Sequence, residues 1–144
     1  MTIFTSDIGI ARIGAGLLDH SLPKAEWTHA AHFAATLWLA RHHPALLAPA
    51  AIGAIIRGYN IATGVANTDT GGYHETITVA SVRAAQAHAA RWSVDTPLHV
   101  ILGDLLASPY GRSGWLLNHW RRDTLFSVAA RRDWVAPDLS PLLF

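Results

Sequence analysis

The chain has 144 residues, 51% hydrophobic and only 15% charged, with a net charge of +1 and no cysteine. That length buries roughly two-thirds of the unfolded surface in one core, and the composition excludes disorder. The charge gives no case for nucleic acid, and the missing thiols exclude a disulfide framework, a thiol nucleophile and a Cys-ligated zinc.

The first helix is expected over 7–18, where Ile8, Ile10, Ile13, Leu17 and Leu18 have helical spacing and Ser6 or Asp7 is a suitable N-cap. Gly9, Gly14 and Gly16 weaken it by about 1 kcal/mol each. The break at Ser21-Leu22-Pro23 leads into the clearest pattern, 26–42, which has no internal Gly or Pro and stops before Pro44. A third helix over 44–63 is expected to kink at Pro49 and end at Gly64. Its short connection to the second predicts an antiparallel pair. A polar loop (65–72) separates it from a fourth helix expected over 73–92, which Asp69 or Thr70 can cap. A fifth is expected at 97–107, then two short helical pieces at 113–121 and 124–134, then an irregular tail with Pro137 and Pro141. The expectation is an all-α fold, a compact bundle of about five to seven helices forming a single helical domain.

The longest apolar run, 45–56, is too short for a membrane span and is interrupted by Pro49. No basic-then-apolar leader pattern opens the chain, so a cytoplasmic protein is expected. Arg121-Arg122 and Arg131-Arg132 are each followed by Asp, so both pairs are expected to be self-neutralised solvated faces.

Two stretches carry chemistry. His29 and His32 are three apart and share a helical face. Tyr73-His74-Glu75 comes directly after a Gly pair at the start of the fourth helix. In an up-down bundle, helix arithmetic brings Asn60, the histidine pair and the Tyr-His-Glu turn to one end, with His42, His43 and His88 at the other. Three imidazoles converging there make a mononuclear metal site, with His29, His32 and His74 as ligands and a divalent ion, zinc or iron, as cofactor. Glu75 is then the general base for a metal-bound water or a fourth ligand, an option also open to Glu26. Tyr73 joins Glu75 as a catalytic residue, while Asn60 and Trp27 contact substrate. The structural alternatives are plain: satisfied core histidines, a carboxylate placed by the helix dipole, and glycines that only make the turn. Trp38, Trp92, Trp115 and Trp120 are assigned to packing.

The combination Trp27-Thr28-His29-x-x-His32, Gly72-Tyr73-His74-Glu75-Thr76-Ile77-Thr78 and Trp134-Val135-x-Pro137-Asp138-Leu139-Ser140-Pro141-Leu142 resembles a family of small bacterial proteins of unassigned function. The resemblance runs from about Leu22 to the C-terminus and implies a coherent motif set centred on His29, His32, His74 and Glu75, not a reaction. The expected function is therefore a metal-dependent enzyme acting on a small organic molecule, by water activation or oxygen chemistry. The alternatives are a non-enzymatic metal- or ligand-binding helical module and a metal-free helical interaction protein. The expected partners are a small-molecule substrate and, through the fifth and sixth helices, a second copy as a homodimer.

Overall fold

A computed structural model describes residues 3–144. These residues are all-helical, with seven α-helices in chain order: α1 (Asp7–Asp19), α2 (His29–His42), α3 (Pro49–Ala62), α4 (Glu75–Ala89), α5 (Leu98–Ala107), α6 (Arg122–Leu125) and α7 (Val128–Arg132). Short 3-10 turns fill several connections, and the described residues contain no strand. No helix among them is long and apolar enough to cross a membrane.

Local chemistry places the helix ends. Ser6 caps α1 through a bond from the Gly9 amide, as its sequence position suggested. The second helix begins later than its apolar pattern, because Thr28 takes the Ala31 amide and so becomes the N-cap, leaving Glu26 in a 3-10 turn and Trp27 at its end. Pro49 does not kink the third helix. It occupies the first position of α3, where a missing N–H costs nothing, and Pro44–Leu47 forms a separate 3-10 turn. Gly64, at φ +85°, closes α3 with the Val65 amide reaching back to the Asn60 carbonyl, a Schellman ending. The amides at the start of α5 are held from across the fold, since Asp7 accepts from the backbone N–H groups of Leu98 and His99.

The principal core joins α1 (Ile10, Ile13, Leu17), α2 (Phe33, Leu37) and α5 (Ile101, Leu102, Leu105). The glycine that weakens α1 in isolation has a packing role here. A Cβ at Gly14 would lie 2.2 Å from Trp38 Cε3, so only glycine lets the Trp38 indole lie against α1. A second core packs α4 against the C-terminal segment through Ala80, Ala84, Trp115, Leu116, Trp120 and Leu125.

The backbones of α2 and α3 approach each other less than α2 approaches α1, α4 and α5 or α3 approaches α1 and α4; Leu39 of α2 still clusters with Ile52 and Ile56 of α3. The space left between α2, α3 and α4 is a cavity.

Candidate functional site

The cavity measures about 420 Å³. α2 supplies His32, Ala35, Thr36 and Leu39, α3 supplies Ile52, Ile56 and Asn60, and α4 supplies Ile77, Thr78, Ser81 and Val82. Lys24 and Trp27 on one side, and Gly72, Tyr73, His74 and Arg131 on another, complete its polar part. Leu39, Ile52, Ile56, Tyr73 and Val82 belong to one apolar cluster, so a large part of the lining is apolar.

The stretch Gly-Tyr-His-Glu-Thr assigns one task to each residue. Gly72 sits at φ +76°, where a Cβ would stand 2.5 Å from the Ala66 carbonyl oxygen and 2.7 Å from Asn67 Oδ1. Tyr73 is buried, donates its hydroxyl to Glu75 Oε1 at 2.5 Å, and carries the Arg57 guanidinium 4.4 Å from its ring centre. Burial, reinforced by Glu75, pushes its phenol well above the usual range, so it stays protonated. His74 is the N-cap of α4: Nδ1 accepts from the Ile77 amide at 3.1 Å, and Nε2–H donates to the buried Leu125 carbonyl at 2.7 Å. Because carbonyls only accept, these bonds require the neutral Nε2–H tautomer. Burial depresses the His74 pKa, in line with that state. Thr76, fully buried, donates to the Asp133 carbonyl at 2.8 Å and accepts from the Val135 amide at 3.1 Å, pinning the C-terminal tail to α4.

His32 is differently placed. Its Nδ1–H donates to the Thr28 carbonyl at 2.6 Å, and its ring stacks on Trp27 with centroids 3.8 Å apart. Nε2 has no hydrogen-bond partner among the described residues. Trp115 Nε1 is the one fully buried side-chain polar atom lacking a partner among those residues, so His32 Nε2 is reachable from outside the protein packing. Desolvation lowers the His32 pKa to about 4, leaving a neutral imidazole with an available lone pair at neutral pH.

The structure thus gathers Trp27, His32, Asn60, Tyr73 and His74 around one cavity, and helix arithmetic accounts for all of these but Trp27. It does not bring His29 there. That ring meets the Tyr110 carbonyl through Nε2 at 2.9 Å and packs edge-on to Phe33, on the side of α2 facing the principal core. Nor does Glu75 line the cavity; it partners Tyr73 instead. Glu26 is held by a bidentate pair with Arg12. Among the described residues no three His, Cys, Asp or Glu side chains converge as a metal-holding group. A catalytic zinc takes three protein ligands. In this arrangement both His74 nitrogens are engaged by backbone and His29 lies elsewhere, so the donor set around the cavity does not fit that expectation.

No family model matches this chain, and neither curated proteins nor solved structures give a match. The site therefore has to be read from its own residues.

Three of those residues escaped the sequence reading. Asn67 organises the loop: its Oδ1 accepts from both Asn60 Nδ2 and the Tyr73 amide, and its Nδ2 donates to the Arg57 carbonyl. Arg131 donates through Nη1 to the Gly72 carbonyl at 3.0 Å while lining the cavity. Ser81 lines the cavity from α4. An Asn within a Gly-flanked polar loop is the only signal that foreshadowed any of them. Arg131 looked like half of a self-neutralised surface pair, yet it is Arg132 that is neutralised, by Asp69.

Proposed function

We propose that this protein binds a small organic molecule in the cavity between α2, α3 and α4, and that His32 is the residue through which a polar group of that molecule is recognised. One observation carries the reading: the His32 ring is fixed on both sides, by Thr28 through Nδ1 and by the Trp27 face, while Nε2 is left without a partner among the described residues in a cavity lining. A mainly apolar cavity of several hundred Å³ with a few converging polar groups is the usual form of a small-molecule site. Trp27 walls it, and Asn60 and Ser81 supply hydrogen-bonding groups.

A second reading, that the protein also turns its ligand over, rests on the same ring. Fixing Nδ1–H on a carbonyl selects the tautomer whose Nε2 can accept a proton, the arrangement an imidazole base needs. Tyr73, kept protonated and already donating to Glu75, would offer a ligand there only an acceptor lone pair.

The experiment is a ligand-observed NMR screen of a broad small-molecule panel, then amide and indole shift mapping on the labelled protein. Hits are expected to move the Trp27 indole N–H and the amides of Asn60, Thr78 and Ser81, and to disappear when Ser81→Phe fills the cavity. Hits that map elsewhere, or survive the filled cavity, would overturn the reading. For turnover, His32→Gln is expected to weaken binding and to abolish activity even at saturating ligand; undiminished activity would remove His32 from the chemistry.

A further inference from the structure

Among the described residues, the cavity lining contains two cations, Lys24 and Arg131, and no carboxylate. Three acidic side chains from the segments that flank it are committed elsewhere. Glu26 is bidentate to Arg12, Asp69 is bidentate to Arg132, and Glu75 accepts from Tyr73. Both histidines of the lining are bonded as neutral rings, so they neither offset that positive charge nor add to it. Lys24 is exposed at the rim and has no ion-pair or hydrogen-bond partner among the described residues.

Arg131 is the more telling of the two. Its Nη1 is occupied by the Gly72 and Tyr73 carbonyls, at 3.0 and 3.4 Å. Those bonds orient the guanidinium and leave the Nε–Nη2 edge without a partner among the described residues. α7, which carries Arg131, is held against α4, and the chain just beyond it is pinned by Thr76, so the guanidinium is anchored from both directions. A pair of parallel N–H donors on one guanidinium edge matches the two oxygens of a carboxylate. The same lining carries Leu39, Ile52, Ile56 and Val82, which form one apolar cluster. At about 30 Å³ per water-sized group, the cavity holds on the order of a dozen non-hydrogen atoms.

We propose that the ligand is a small amphiphilic carboxylate whose anionic head is taken by the free edge of Arg131, with Lys24 at the rim, and whose apolar body lies between α2, α3 and α4. The inference rests on the cavity being a ligand site and adds the charge class of what enters it. A phosphate monoester can also present two oxygens to this edge but carries up to a second negative charge into a mainly apolar cavity, and so belongs among the competitors in the test.

The test uses matched ligand sets on the full chain: aliphatic and aryl-alkyl carboxylates of about eight to twelve non-hydrogen atoms, with the amide, the amine and the phosphate monoester of each body. Affinities are read by titration calorimetry or ligand-observed NMR. Carboxylates are expected to bind at least about tenfold more tightly than their amides, the usual ratio when a charge-assisted hydrogen bond is lost. Arg131→Gln is expected to bring the carboxylate down to about the amide level, with amide binding falling much less. Arg131→Lys should restore only part of it, because a point charge lacks the fork. Lys24→Gln, at an exposed position that poses no risk to folding, is expected to cost a few-fold and to flatten the salt dependence. Amides or amines that bind as well as carboxylates, and are lost on Ser81→Phe, would overturn the anionic class while leaving the cavity as the site. Phosphates that outbind carboxylates would overturn the choice of head group. Carboxylate binding that survives both Arg131→Gln and Ser81→Phe, or no binding by any member, would overturn this inference and the cavity reading together.

Discussion

Replacing His74 with alanine separates a structural histidine from a ligand-binding one. The ring is only 6% exposed and serves two bonds at once. Removing it deprives α4 of its N-cap acceptor, a loss of about 1 kcal/mol. It also strands the Leu125 carbonyl, bonded at 2.7 Å and carried by a residue 1% exposed, at about 1–3 kcal/mol. The two together come to about 3 kcal/mol. With an unfolding entropy of about 2.1 cal/mol/K per residue, a chain of 144 residues loses about 10 °C of Tm for that amount. His74→Asn keeps an acceptor at the cap and cannot reach Leu125, so it should recover about 1 kcal/mol, or about 3 °C. His32→Ala gives up mainly the stack on Trp27, about 1 kcal/mol, and leaves no buried carbonyl stranded. The assay is thermal and urea unfolding tracked by circular dichroism on the four proteins. A His74→Ala melting point within about 2 °C of the parent, or one above that of His32→Ala, would refute the reasoning.

The same geometry sets three further expectations. His32 has a folded-state pKa near 4, below the unfolded value of 6.5, so its neutral form stabilises the fold fully above pH 6.5, and that contribution is lost as pH falls through 4. The gap between 6.5 and about 4 corresponds to at most about 3 kcal/mol, reduced by the part of the ring that water reaches, and His74, also depressed, acts in the same direction. Urea unfolding of the parent and His32→Gln at about pH 7, 5.5 and 4.5 should show a flatter pH dependence in the variant; parallel curves would contradict it. Gly72→Ala is expected to cost more than about 2 kcal/mol, because its Cβ meets the Ala66 carbonyl, whereas Gly64→Ala, at φ +85° with nothing within 4 Å, should cost about 1 kcal/mol. Equal losses in thermal melts would show that the close approach does not matter. Elemental analysis of untagged protein is expected to give well under one metal ion per chain. Near-stoichiometric metal abolished by both His29→Ala and His74→Ala would instead mean that the three rings abandon their carbonyl partners to meet at an ion.

Much of this protein is legible locally. The all-α class, the capping Ser6, the Gly64 ending and the stop before Pro44 come from spacing, caps and breakers, which act within one or two turns. Helix arithmetic also brought His32, Asn60, Tyr73 and His74 to one region, since rise per residue and short connections fix which helix ends share a level. What lies beyond local rules is the direction of each ring and the partner it finds. His29 and His32 share a face by spacing, yet the core offers one the Tyr110 carbonyl, 81 residues away, while Thr28 fixes the other beside the cavity. His74 becomes a cap because the Leu125 carbonyl, 51 residues away, arrives to complete its second bond. The looser approach of α2 to α3, which opens the cavity, and the freeing of Arg131 by the Asp69–Arg132 pair are likewise decided by packing between distant segments. Sequence spacing sets which groups can meet. Competition among long-range partners, each bond gained only after the chain is closed upon itself, sets which of them do.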